Sequence, residues 1–176
     1  MEKDKITAKF IDGKVTAEKD SISSSLYDKS RFGEPKKDKY HYSLVEALYL
    51  LETGKATILN KAGREVLFDR FVKQAVKYEP GFWIRYCVFK DMRSRGYIVK
   101  TALKFGADFR VYDRGVRPGE DHAKWILFPV HEGETMSWYK FSAMNRVAHS
   151  TRKKLLVGCV DDEDDVTYWI ISWTKP

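Results

Sequence analysis

Four histidines, His41, His122, His131 and His149, are the side chains of this sequence that exchange protons near neutral pH. No two of them stand at a metal-ligand spacing, and no His-Glu-x-x-His run occurs. His41 stands beside a helix start, His131 follows a strand, and His149 ends a helix where positive charge meets the helix dipole. Structural duties account for those three. His122 lies in a loop just before a strand, where a histidine is ordinarily only exposed. The two cysteines, Cys87 and Cys159, lie among apolar neighbours outside any Cys-x-x-Cys arrangement, and read as small buried hydrophobes. Thirty-two Lys and Arg against 25 Asp and Glu leave a net charge of +7. That excess favours a polyanionic partner, because each phosphate neutralised by a cationic side chain releases counterions.

Such side chains need a scaffold, and 176 residues, 43% of them hydrophobic, suffice for a packed core in one large domain or two small ones. No apolar run approaches the roughly 20 residues that span a bilayer. The charged start Met1-Glu2-Lys3-Asp4-Lys5 has no apolar stretch behind it, so a cytoplasmic protein with no membrane partner is expected. Apolar-rich residues 6 to 11 and 15 to 17 flank Asp12-Gly13-Lys14, a hairpin signal. Residues 21 to 39 are polar, contain Gly33 and Pro35, and read mainly as irregular. Ser43 and Glu46 form a capping box for residues 44 to 51, where Leu44, Ala47, Leu48 and Leu51 share a face. Gly54 stands where a left-handed helix end is expected. A strand at 55 to 59, a turn at Ala62-Gly63 and an amphipathic helix at 66 to 78, stopped by Pro80-Gly81, complete a mixed α/β domain over residues 1 to 80. In residues 81 to 176 the pattern predicts a helix at 83 to 95 and strands at 97 to 100, 108 to 112 and 124 to 130. A helix at 137 to 149 follows, then strands at 154 to 160 and 166 to 173 joined by Asp161-Asp162-Glu163-Asp164-Asp165. The fold class is α/β of the mixed α+β kind.

Ordered blocks carry more information than any one of these motifs. Arg95-Gly96-Tyr97-Ile98-Val99-Lys100 is followed by Gly106-Ala107-Asp108-Phe109-Arg110-Val111-Tyr112-Asp113-Arg114-Gly115, by His122, and by Arg146-Val147-Ala148-His149-Ser150-Thr151-Arg152-Lys153-Lys154-Leu155. This order resembles the catalytic domain of archaeal tRNA-splicing endonucleases. The resemblance runs back through Ser43-Leu44-Val45-Glu46-Ala47-Leu48-Tyr49-Leu50 and forward to Lys175-Pro176, and is weakest over residues 1 to 39. It implies a C-terminal nuclease domain with a mixed sheet flanked by helices, restriction-endonuclease-like. It further implies a catalytic tyrosine before the Asp-Arg-Gly turn, Tyr112, a histidine in the next loop, His122, and a lysine opening the strand after the Arg-Val-Ala-His-Ser helix. That lysine is Lys153, with Lys154 adjacent; strand alternation lets only one of them serve. The resemblance also implies that Arg146 stacks on a bulged base and that residues 161 to 165 enter a basic groove of a neighbouring subunit. Arg110, Arg114 and Arg117 are available for phosphates. The implied partners are precursor tRNA, read as a bulge-helix-bulge, and further copies of the chain in a homotetramer, with a heterotetramer containing a separate structural subunit as the runner-up. No cofactor and no metal are implied.

The chemistry suits these residue types. RNA carries its own nucleophile, the 2′-hydroxyl beside the scissile phosphate, so one base, one acid and one fixed cation suffice without a metal. His122 is apt as the acid and Lys153 as the cation. A phenol, with an ordinary pKa of about 10, needs activation by neighbouring cations or works by positioning. Two other functions compete. A metal-dependent DNA nuclease of the restriction type needs clustered carboxylates, whereas Asp121 is isolated and the acidic run lacks a second element. A non-catalytic RNA-binding or structural subunit should lack one or more of the three site residues, and this chain has all three.

Overall fold

Asp12 and Gly13 both take positive φ, 49° and 76°, the backbone of a primed hairpin turn. They fold β1 (Ile6–Ile11) onto β2 (Lys14–Glu18) with Phe10 opposite Val15. The computed structural model describes residues 5–176, and the chain divides into two compact units, one up to Trp83 and one from Ile84 onward.

The first unit adds α1 (Ser21–Ser30), β3 (Glu34–Lys36), β4 (Lys39–Tyr42), α2 (Leu44–Glu52), β5 (Ala56–Leu59) and α3 (Phe68–Tyr78). Its sheet runs β3-β4-β2-β1-β5, with β1 and β5 parallel and the other pairs antiparallel. The expected capping box opens α2: Ser43 Oγ accepts from the Glu46 N–H, and the Glu46 carboxylate accepts from the Ser43 N–H at 3.0 Å. Glu46 is buried, and its other oxygen accepts the Gly33 N–H at 3.2 Å, so the cap also fixes the approach to β3.

Residues 21 to 39 are not irregular. Asp20 caps α1 by accepting the Ser23 N–H at 2.7 Å while Ser23 Oγ accepts the Asp20 N–H at 2.9 Å. Ser23 alone of this helix is buried, so there is no apolar stripe for periodicity to reveal. The helix expected from residue 66 begins at Phe68, because the Val66 N–H donates to the Ile58 carbonyl at 2.7 Å beside β5.

The second unit contains nearly all of α4 (Phe82–Ser94), then β6 (Ile98–Thr101), β7 (Phe109–Tyr112), β8 (Trp125–His131), α5 (Trp138–Ser150), β9 (Lys154–Val160) and β10 (Val166–Ile171). Its sheet runs β10-β9-β8-β7-β6. Only β8 and β9 are parallel, which demands a crossover, and α5 supplies it. Met144 and Ala148 of α5 pack with Ile126, Leu155 and Val157 on one face. On the other face Phe89 of α4 meets Phe109, ring centroids 5.9 Å apart, and Arg85 pairs with Asp108 at 2.9 Å. Burial holds the Asp108 carboxyl above its ordinary range despite the opposing pull of Arg85.

Cys87 is buried, and its thiol, donating to the Asp164 carboxylate at 3.6 Å, is pushed up to about 12 by burial and by that charge. Cys159 is half-exposed, contrary to expectation. It sits opposite Val130 near the end of β9, where the sheet is only half covered. The last strand ends at Ile171 rather than at Trp173. Among the described residues no helix is long and apolar enough to cross a membrane.

Gly158 marks where α4 presses on β9: a Cβ there would lie 2.9 Å from Val88 Cγ1 and 3.3 Å from the Tyr168 ring. Val88 is β-branched and cannot swing aside. Gly158→Ala is therefore expected to cost about 1–3 kcal/mol in a denaturant titration, and an unchanged midpoint would mean that the helix does not press there.

Candidate active site

Three strand ends meet at one end of the second sheet. β7 is antiparallel to β8 with Val111 opposite Trp125, so Tyr112, the last residue of β7, lies beside the entry to β8. β9 is parallel to β8 with Lys154 opposite Trp125, and the Lys154 N–H donates to the Lys124 carbonyl at 3.1 Å. Tyr112, His122 and Lys153 are thereby brought together and all line one cavity of about 360 Å³. Phe105, Arg110, Gly119, Glu120, Asp121 and Ala123 complete its wall.

Each of the three is held differently. Tyr112 is 5% exposed, its ring packed at the strand end. His122 is exposed on the loop between β7 and β8, where its backbone N–H donates to the Asp121 carboxylate at 2.7 Å. The ends of that loop are stapled. The Lys124 N–H donates to the Val111 carbonyl at 2.9 Å, and Lys124 Nζ meets Asp113 Oδ2 at 2.7 Å. The bond from Lys124, and then one from the Arg114 N–H, hold the Asp113 carboxyl below its ordinary range.

Lys153 is set by the end of α5. The Arg152 N–H donates to the His149 carbonyl at 3.0 Å and the Lys153 N–H to the Ala148 carbonyl at 2.8 Å, the paired bonds of a Schellman motif. Arg152 takes the left-handed position, φ 55°, where glycine is usual. The half-buried Lys153 then donates one Nζ proton to the Thr151 carbonyl at 3.0 Å, leaving two for a ligand. Lys154 does not line the cavity of Tyr112 and His122. It borders a separate depression with His149 and Trp173, to which Lys153 also contributes.

Both halves of the chain match family models. Residues 6–72 match the tRNA intron endonuclease N-terminal domain, and residues 82–168 its catalytic C-terminal domain. The chain is 41% identical to a tRNA-splicing endonuclease of Methanothermobacter thermautotrophicus, covering 92% of this chain and 94% of that one. It is 39% identical to that of Thermococcus onnurineus over 98% and 99% of the two chains. A third, from Nanoarchaeum equitans, is 44% identical over 79% of this chain and 92% of the relative. The chain belongs to the tRNA intron endonuclease family. The expected family resemblance and mixed α+β fold thus both hold.

Arg110 shares the cavity wall in this tRNA intron endonuclease family member, while Arg114, Arg146 and the acidic run lie elsewhere. Arg146 is exposed on α5 and Arg114 is exposed after β7, its guanidinium 4.9 Å from the Tyr97 ring centroid; neither lines the cavity. Asp161 shapes the turn between β9 and β10, its carboxylate accepting the Glu163 and Asp165 N–H groups at 2.9 Å each. Asp162, its side chain 85% exposed, meets His131 at 3.0 Å. Of the wall residues, Phe105, Gly119, Glu120 and Ala123 drew no attention in the sequence. Phe105 comes from a single 3-10 turn, Leu103–Phe105, which breaks both periodicities. Among the described residues no group of three or more His, Cys, Asp or Glu is placed to hold a metal ion.

Because Asp113 is held below the usual carboxylate range, its pair with Lys124 contributes above the ordinary aspartate pKa and is lost as pH falls through the lower, folded value. Asp113→Asn should therefore speed amide exchange across residues 114 to 123 while leaving the melting temperature nearly unchanged. Equal exchange in the two proteins would show that the pair does not hold the loop.

Proposed function

We propose that this chain is a cytoplasmic endonuclease that cuts precursor tRNA at both exon–intron junctions of a bulge-helix-bulge, without a metal. The observation that carries this reading is the convergence of Tyr112, His122 and Lys153, from three separate segments, on one cavity. In the reaction the 2′-hydroxyl oxygen attacks the adjacent phosphorus, forming the O2′–P bond as the P–O5′ bond breaks. Tyr112 receives or orients the 2′-hydroxyl proton, and His122 protonates the departing 5′-oxygen. Lys153 stabilises the phosphorane with the Nζ protons not engaged by Thr151. The products are a 2′,3′-cyclic phosphate and a 5′-hydroxyl. Arg146 stacks on a splayed bulge base, for which a guanidinium plane on an exposed helix is apt, and Arg114 meets a phosphate.

The assembly is a homotetramer. The acidic turn of residues 161 to 165, with Asp162, Glu163, Asp164 and Asp165 exposed on it, docks on a basic surface of a neighbouring copy. β10, at the sheet edge with Trp169 and Ile170 both exposed, pairs with its counterpart. Two sites at fixed separation then serve the two junctions.

His122→Ala should slow single-turnover cleavage by about 10²–10⁴-fold while RNA binding persists, and Lys153→Ala should abolish cleavage where Lys154→Ala does not. Full inhibition by EDTA, or undiminished cleavage of RNA carrying a 2′-deoxy nucleotide at the junction, would remove the mechanism. Native mass measurement should give four copies of the 20.5 kDa chain; a dimer, or a requirement for a different subunit, overturns the homotetramer.

A further inference from the structure

Arg110 is left without a duty by the reaction as written. It stands two residues before Tyr112 on β7, so both side chains project from one face of the strand, about 6.7 Å apart along it. It lines the same cavity as the three reacting groups. Its Nε is shut off from solvent and, among the described residues, meets no hydrogen-bond partner, a costly state for a guanidinium. Directly across the ladder on β6 lies Lys100, only 5% exposed. Like charges placed opposite each other on a sheet repel, and Arg110 is the member of this pair that stands on the cavity wall, together with Lys153. The acids on that wall do not relieve it at Nε. Asp121 spends an oxygen on the His122 N–H, and no acid of that wall is hydrogen-bonded to the Arg110 Nε.

We infer that Arg110 is a phosphate-anchoring residue, which grips the RNA phosphate next to the reacting one through the paired Nη N–H donors at the outer end of its guanidinium. Guanidinium suits this task because its planar fork matches two phosphate oxygens, which an ammonium cannot do. The offset along β7 sets Arg110 one side-chain step from Tyr112 at the reacting junction, so Arg110 holds the neighbouring phosphate in register. The anchor acts on binding rather than on the chemical step, because the phosphate it holds gains no charge in the transition state.

The inference rests on the cleavage reading above, and the experiment separates the two. Wild-type protein is first assayed on a bulge-helix-bulge RNA; absence of cleavage overturns that reading and this inference with it. Where wild type cleaves, Arg110→Met and Arg110→Lys are compared for kcat, KM and affinity for the same RNA blocked by 2′-deoxy nucleotides at the junctions. Arg110→Met should raise KM and the dissociation constant by about tenfold, leave kcat within about twofold, and lower the slope of log affinity against log salt by about one. Arg110→Lys should keep the salt slope but still lose affinity, a signature that no folding defect produces. Unchanged affinity and slope in both variants would overturn the anchor. So would a fall in kcat at constant KM, which would put Arg110 on the reacting phosphate instead.

Discussion

The parallel pairing of β8 with β9 is the constraint on which the site depends. Antiparallel neighbours begin at opposite ends of a sheet, whereas parallel ones begin at the same end. With Lys154 opposite Trp125, the residues just ahead of both strands meet, and the finish of antiparallel β7 joins them. One register therefore gathers side chains from a strand end, a loop and a helix terminus. The crossover that a parallel pair requires is α5, whose inner face fills the core with Met144 and Ala148. Its last turn delivers Lys153. Helix packing and placement of a cation are thus two results of the same connection.

The chemical character of the cavity follows from what its wall lacks and what it concentrates. Tyr112 is held by burial, His122 by a stapled loop, and Lys153 by a helix cap with one proton engaged. The first two restraints bear on ring or backbone, and the bond from Lys153 to the Thr151 carbonyl leaves two Nζ protons uncommitted, so all three residues line the cavity in fixed positions. The Asp113–Lys124 pair belongs to this framework although it touches no reacting atom. It closes the loop that carries His122.

Much of this was legible in the sequence, for identifiable reasons. The Ser43–Glu46 capping box and the Asp12-Gly13 turn are local and declare themselves in a few residues. Tyr112 and His122 were marked by ordered blocks whose spacing the fold preserves, and the cavity wall includes both. Between Lys153 and Lys154, composition offered no choice. What brings Lys153 rather than Lys154 to the cavity wall is a left-handed Arg152 at a helix end with no glycine to announce it. The helix from Ser21 escaped because its cap joins Asp20 to Ser23 and its surface has no apolar stripe. Arg110 was visible only as one of several arginines. Its buried Nε and the Lys100 across the ladder are products of tertiary pairing.

β9 joins two features of different character. Lys153 stands just ahead of its first residue and the acidic turn just beyond its last, six residue steps from Lys154 to Val160, or about 20 Å of extended chain. Bound by β8 on one side and β10 on the other, this span has little freedom to stretch or bend. The strand therefore works as a measuring rod. Whatever seats itself on the acidic turn is kept a constant distance from the cavity, and any arrangement of copies built through that turn inherits its dimensions from a single β-strand.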